Sequence, residues 1–279
     1  MIKPVGSDEL QPLFVYDPDK HHQLMHEAES LPSVMISSQA AGNAVMMGGG
    51  YFTPLKGFMN LADAMGTCEG MRMTDGTFFP VPVMCLLESV DAIRGANRIA
   101  LRDPNMEGNP ILAVMGVAAI EQIGDDQMAY MTDKVYRTDD AEHPGVSAFN
   151  SQGRFAVSGP IQVLHFSYFQ DDFPDTFRTA VDIRNEIAER GWKRIVGFQT
   201  RNPMHLAHEE LCHMAMDRLD CDGLVIHMLL GKLKPGDIPA EVRSEAIQVL
   251  IDNYFVKNTV LQAGYPLDMR YAGPREALL

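Results

Sequence analysis

The chain has 279 residues, of which 46% are apolar and 22% charged, and it carries a formal net charge of −14 at pH 7. That length suffices for two domains with cores of their own, and the balance is that of a globular protein, not a fibrous or disordered one. The acidity argues against general nucleic-acid binding, which needs basic patches to neutralise phosphates, and no apolar run approaches the roughly 18 residues of a membrane helix.

The N-terminal stretch MIKPVGSDELQPLF lacks the apolar segment of a signal peptide, so a cytoplasmic protein is expected. The first half is then rich in turns: GGGYFTPLKGF (48–58), TDGTFFPVPV (74–83), RDPNMEGNP (102–110) and EHPGVSAFNSQG (142–153) carry Gly, Pro, Asn or Asp at turn positions. Between them lie short apolar runs, VPVMCLLE (81–88), NRIALR (97–102) and PILAVMGVAAIE (110–121). Such spacing predicts a mainly β domain with a few helices over residues 1–165. The glycines at 48–50 lack the following Lys-Ser/Thr of a P-loop and read as a tight turn.

From residue 166 to 279 the pattern changes. PDTFRTAVDIRNEIAERG (174–191) is amphipathic at helical spacing, with Asp175 placed to cap it and Gly191 to end it. KRIVGF (193–198) reads as a buried strand, Pro203 opens a helix running to about Leu219, and CDGLVIHMLL (221–230) is the next strand. PAEVRSEAIQVLIDNYF (239–255) is a third helix and NTVLQAG (258–264) a third strand. Helix and strand alternating at this spacing predict a parallel sheet with crossover helices, a Rossmann-like α/β domain. The closing AGPREALL reads as the start of a further helix with Pro274 in its first turn, so the sheet is expected to be incomplete and the protein truncated at its C-terminal end.

Four cysteines, Cys68, Cys85, Cys212 and Cys221, form no C-x-x-C pair and read as reduced, mostly buried thiols, not a zinc site. The chemistry concentrates in FQTRNPMHLAHEE (198–210), where the first α/β strand meets its helix. In open parallel sheets ligands bind beyond the carboxyl ends of the strands, where a helix N-terminus offers N–H groups and partial positive charge. Asn202 is placed as N-cap and Pro203 as first helical residue. His205 and His208, three apart, then share one face with Cβ atoms about 5–6 Å apart. A helix N-terminus disfavours imidazolium and a bound anion favours it, so their charge stays open. Attack of an oxyanion on a nucleotide α-phosphate needs in-line positioning and donors for developing charge, and these residues are of that type. H-x-x-H also invites a metal reading, but H-E-x-x-H is absent and no third ligand stands out; no metal site is expected.

The stretch FQTRNPMHLAHEEL resembles the ATP sulfurylase (sulfate adenylyltransferase) family, with His205-Leu206-Ala207-His208 as its H-x-x-H signature. HMLLGKLKPGDIP (227–239) and MRYAGPREALL (269–279) extend the likeness, and GGGYFTPLKGFM (48–59), LRDPNMEGN (101–109) and DKVYRTDDAEHPGVSAFNSQG (133–153) are similar to the family's PUA-like domain. The resemblance implies a Rossmann-like nucleotidylyltransferase domain after a PUA-like one. It implies that MgATP and sulfate give adenosine 5′-phosphosulfate and pyrophosphate, a reversible reaction that runs toward ATP in sulfur oxidisers. Mg2+ would arrive as MgATP. Gln199 and Arg201 would hold sulfate. Thr200, Arg201, Asn202, His205 and His208 would be catalytic, and these with Gln199 would contact ATP. A homo-oligomer, a dimer by family expectation, with neither nucleic-acid nor membrane partners, follows.

Two departures stand out. Leu206 occupies a position often held by Arg in the family, and the later Gly-Arg-Asp-His-Ala-Gly motif does not occur. Three alternatives remain: an inactive fragment of that enzyme, another nucleotidylyltransferase joining a different acid to AMP, or a non-enzymatic module whose PUA-like half binds RNA or a partner, with the acidic balance weighing against RNA. Lys232 and Lys234 of GKLKPGD read equally as phosphate-side or surface residues. Arg270 and Arg275 are placed at the ligand edge beyond the third strand. His143, His165 and His227 read as structural.

Overall fold

In a computed structural model that describes residues 2–232 and 236–279, the protein divides into two compact units. One spans Lys3–Tyr168 together with Met269–Leu279, and the other spans Phe169–Asp268. Lys234 lies outside the described residues.

The first unit contains α1 (Pro18–Ala28), β1 (Ser33–Met35), α2 (Ser38–Gly48), β2 (Gly57–Phe58), α3 (Leu61–Gly70), β3 (Cys85–Leu87), β4 (Arg98–Arg102), β5 (Ile111–Gly116), β6 (Ala119–Gln122), α4 (Asp125–Tyr136), α5 (Pro144–Asn150) and β7 (Phe155–Val163). Among the described residues its seven strands join in the order β1-β4-β5-β7-β2, with β3 and β6 also on β7. Strand β7 is the hub. Its first half pairs with β3 and β6, and its second half pairs with β5 and β2. The switch falls at Gly159-Pro160. Gly159 has φ +146, and a Cβ there would lie 1.9 Å from the Gly116 carbonyl oxygen, so only glycine permits the strands to approach. The same approach divides the apolar run 110–121 into β5 and β6.

The unit is more helical than its turns suggest. Helix α2, SQAAGNAVMMG, is buried along nearly its whole length and so shows no amphipathic stripe. It starts where Ser37 Oγ accepts the Ala40 N–H at 3.1 Å. One cluster packs Leu86, Ile123, Met128, Met131 and Phe149 together, and a second packs Leu24, Ala100, Ile111, Val114 and Leu164. Burial pushes the Cys68 and Cys85 thiols up to about 12, the range of inert buried cysteine.

The tail Met269–Leu279 corrects two expectations. It forms a short 3-10 turn at Gly273–Leu278, not a further α-helix. Arg270 and Arg275 bind first-unit carbonyls instead of lining the sheet's ligand edge. Arg270 Nη1 donates to Pro82 O at 3.2 Å, and its Nη2 meets Asn43 Oδ1. Arg275 donates to the carbonyls of Thr67 (2.9 Å), Pro80 (3.2 Å) and Cys68 (2.7 Å). Glu276 folds back to accept the N–H groups of Arg270 and Ala272.

The second unit contains α6 (Phe169–Asp172), α7 (Ala180–Glu189), β8 (Ile195–Thr200), α8 (Leu206–Leu219), β9 (Gly223–Leu229), α9 (Ala240–Tyr254) and β10 (Val260–Tyr265). The strands run parallel in the order β10-β9-β8. Helix α7 begins at Ala180, not near Asp175, because Thr179 and Asp182 form a reciprocal cap. The Asp182 N–H donates to Thr179 Oγ1 at 3.1 Å, and the Thr179 N–H donates to Asp182 Oδ2 at 2.9 Å. Residues before it run beside β10, where Phe177 bridges Gly264. Strand β9 is almost fully buried. Strand β8 differs from the expected buried strand: Ile195, Gly197 and Gln199 are exposed on one face.

Candidate active site

Parallel pairing puts the carboxyl ends of β8, β9 and β10 on one edge. The turn after β8, the segment after Leu229 and the segment after Tyr265 therefore leave from the same side. Two of them touch: the Lys232 N–H donates to Asp268 Oδ1 at 2.8 Å, and a Cβ on Gly231 would sit 2.2 Å from the Leu267 carbonyl oxygen. The Lys232 backbone is thus tied, while its side chain stays exposed.

The turn after β8 is built by Thr200, which is buried. Its Oγ1 donates to Asn202 O at 3.0 Å and accepts the Asn202 N–H at 3.1 Å. This small hydroxyl-closed turn reverses the backbone at once and leaves Arg201 at its apex. Gln199, exposed, sits in register with His227 of β9. Arg201 Nη1 lies 3.3 Å from Asp237 Oδ2, an ion pair in which the carboxylate side chain is 14% exposed.

Helix α8 begins three residues later than the proline signal indicates. Asn202 is not its cap, nor Pro203 its first residue; His205 caps a helix starting at Leu206. The reason is a reciprocal arrangement of the two imidazoles. His205 Nδ1 accepts the Ala207 N–H at 3.3 Å, and His208 Nδ1 accepts the His205 N–H, also at 3.3 Å. Two orphan donors of the first turn are thereby satisfied by ring nitrogens, in place of a Ser or Asp oxygen. The ring centroids stand 4.1 Å apart, and Phe198 packs edge-on to His208 at 5.8 Å. An accepting Nδ1 carries no proton, so each neutral ring holds its proton on Nε2. Burial, and then the neighbouring His205, push His208 below the ordinary histidine value, which favours that neutral state.

The structure thus brings Gln199, Thr200, Arg201, Asn202, His205 and His208 onto one turn and helix tip. His143 and His165 are structural: each Nδ1 accepts a local backbone N–H, from Val146 at 3.3 Å and Ser167 at 2.9 Å. His227 faces Tyr265 at 6.1 Å, and burial takes its pKa down to about 4. Sequence reasoning missed Asp237 and Arg243. Arg243 is 1% exposed and donates to the carbonyls of Ile238 (2.9 Å) and Leu229 (2.7 Å). The available signal was an Asp placed just before an α9 that carries an arginine on its inward face. Among the described residues no three His, Cys, Asp or Glu side chains gather as a metal site. A cleft of about 700 Å3 lies between residues 172–178, α7, α9 and β10, and is lined by none of these groups.

A three-strand parallel edge, a hydroxyl-closed turn bearing Arg, and a helix opened by two histidines define a class, the nucleotidyltransferases of Rossmann-like fold. Comparison with known proteins narrows it. Residues 2–166 match the family model for a PUA-like domain and residues 174–279 that for ATP-sulfurylase. A sulfate adenylyltransferase of Allochromatium vinosum is 71% identical over the whole chain, which spans 70% of that protein. Another, from the Riftia pachyptila sulfur-oxidizing endosymbiont, is 68% identical, and the chain spans 63% of it. The chain belongs to the sulfate adenylyltransferase (ATP-sulfurylase) family. A hexameric APS kinase from Thiobacillus denitrificans superposes with a TM-score of 0.75 at 24% identity, over all of this chain and 49% of that one, a likeness of fold.

Proposed function

We propose that the turn and helix tip at residues 199–208 bind sulfate beside the α-phosphate of MgATP and transfer the adenylyl group to it, releasing pyrophosphate. Arg201 and Gln199 receive the sulfate. A planar guanidinium matches two oxygens of a tetrahedral dianion, and the Gln199 amide adds a donor at the strand end. Thr200 and Asn202 shape the turn that presents them. His205 and His208 face the nucleotide phosphates through Nε2–H, as donors fixed by their own capping bonds. No covalent intermediate is required: the groups orient the sulfate oxygen and the pyrophosphate leaving group in line and stabilise charge on the phosphorus oxygens. Mg2+ enters with the nucleotide as part of the substrate. Family expectation adds a cytoplasmic homo-oligomer.

The observation that carries this reading is the paired imidazole cap, which fixes both rings at the helix tip adjoining Arg201. Pyrophosphate release by the purified protein tests it. MgATP should yield pyrophosphate only when sulfate is present, and molybdate should substitute, releasing AMP and pyrophosphate without a stable product. Release with neither oxyanion, under conditions where a different acid supports it, would assign the site to another adenylyl acceptor.

A further inference from the structure

The Arg201 guanidinium stands on a long flexible stem at the apex of a turn, and such a side chain grips an anion well only if something holds its orientation beforehand. In this structure Asp237 supplies a partner, at 3.3 Å from Nη1. Asp237 is itself held. The next residue, Ile238, gives its carbonyl to Arg243 Nε, and the same guanidinium binds Leu229 O at the end of β9. Arg243 is fully buried in the first turns of α9, so this clamp ties the backbone beside Asp237 to the sheet edge.

We propose that Asp237 is a positioning residue for the oxyanion substrate: it holds the Arg201 guanidinium in its anion-gripping orientation, and Arg243 fixes the backbone that carries it. This inference rests on the reading that Arg201 receives sulfate. A purely repulsive neighbour would have the opposite effect, because a carboxylate beside the guanidinium lowers the local positive potential. The two roles therefore differ in sign.

Isothermal titration of the whole protein with sodium sulfate at constant ionic strength, with the Mg complex of α,β-methylene-ATP bound, separates them. Asp237→Ala should weaken sulfate binding about tenfold, the size of one charge-assisted hydrogen bond, while nucleotide affinity and melting temperature stay put. Asp237→Asn keeps an acceptor oxygen and should recover most of the loss. In an Arg201→Ala background the Asp237→Ala change should have no further effect on sulfate, because its action passes through the guanidinium. Unchanged or tighter sulfate binding in Asp237→Ala overturns the proposal. So does equal weakening of sulfate and nucleotide with a lowered melting temperature, which marks a structural role. If Arg201→Ala weakens sulfate while Asp237→Ala does not, only the positioning role falls. If wild type binds no sulfate, or Arg201→Ala leaves affinity intact, the underlying assignment of the sulfate site falls with it.

Discussion

At the scale of single residues, the two imidazoles serve as the caps of their own helix. Each Nδ1 accepts a backbone N–H, and protonation there would replace an attraction with a clash of donors. His208 has its pKa lowered in the folded protein, first by burial. A histidine whose folded pKa lies below its unfolded value binds fewer protons when folded. Its contribution to stability is therefore complete above the ordinary value near 6.5 and is lost as pH falls below it. His227 follows the same sign over a defined window, from the ordinary 6.5 down to about 4. Urea unfolding at pH 7 and pH 4.5 should show a fall in stability that His227→Phe reduces. An identical fall in the variant would mean that the charge of His227 is not what the folded state excludes.

At the scale of elements, caps decide where helices begin, and they explain most differences from the sequence reading. The spacing of apolar residues placed α7, α8, α9, β9 and β10 within a few residues of where they lie. Pro203 and Asp175, each a good local start signal, were overruled by reciprocal pairs, His205 with His208 and Thr179 with Asp182. Nothing in a single sequence ranks two adjacent caps. Within β7, Gly159 is required by the close approach of Gly116, a tertiary fact that no local spacing shows. His205→Ala should cost roughly 0.5–2 kcal/mol in chemical denaturation, the range for loss of an N-cap, and His205→Asn should recover much of it. Gly231→Ala should cost on the order of 1–3 kcal/mol, since its methyl would meet the Leu267 carbonyl and part the two segments at the sheet edge. A Gly231→Ala variant as stable as wild type would show that this contact yields without cost.

At the scale of the whole molecule, the family and its two-part organisation were legible because several motifs occur in order along the sequence. The return of the C-terminal tail was not. Arg270 and Arg275 fall at the ligand edge in the sequence reading, and their carbonyl partners at Asn43, Thr67, Pro80 and Pro82 lie about two hundred residues away in sequence. Arg275→Ala would strand up to two carbonyls, those of Pro80 and Cys68, since the Thr67 carbonyl keeps the Met71 N–H; each is worth about 1–3 kcal/mol when left buried without a donor. Hydrogen exchange over residues 269–279 should then accelerate by at least tenfold. Protection equal to wild type would place the tail's anchorage elsewhere, in the Glu276 and Arg270 bonds. Among the described residues no helix is long and apolar enough to cross a membrane.

The candidate site was readable as a cluster in sequence but not as a geometry: the capping role of the imidazoles, the Asp237 partner and the exposed face of β8 emerge only when the turn is folded. The central claim is that Arg201 receives the oxyanion while His208 serves the nucleotide's reacting phosphates. It is tested most directly by steady-state kinetics of Arg201→Ala and His208→Ala side by side. Arg201→Ala should raise the KM for sulfate at least tenfold with the KM for MgATP nearly unchanged, and His208→Ala should lower kcat with both KM values held. An equal rise in the sulfate KM from both substitutions would contradict these roles.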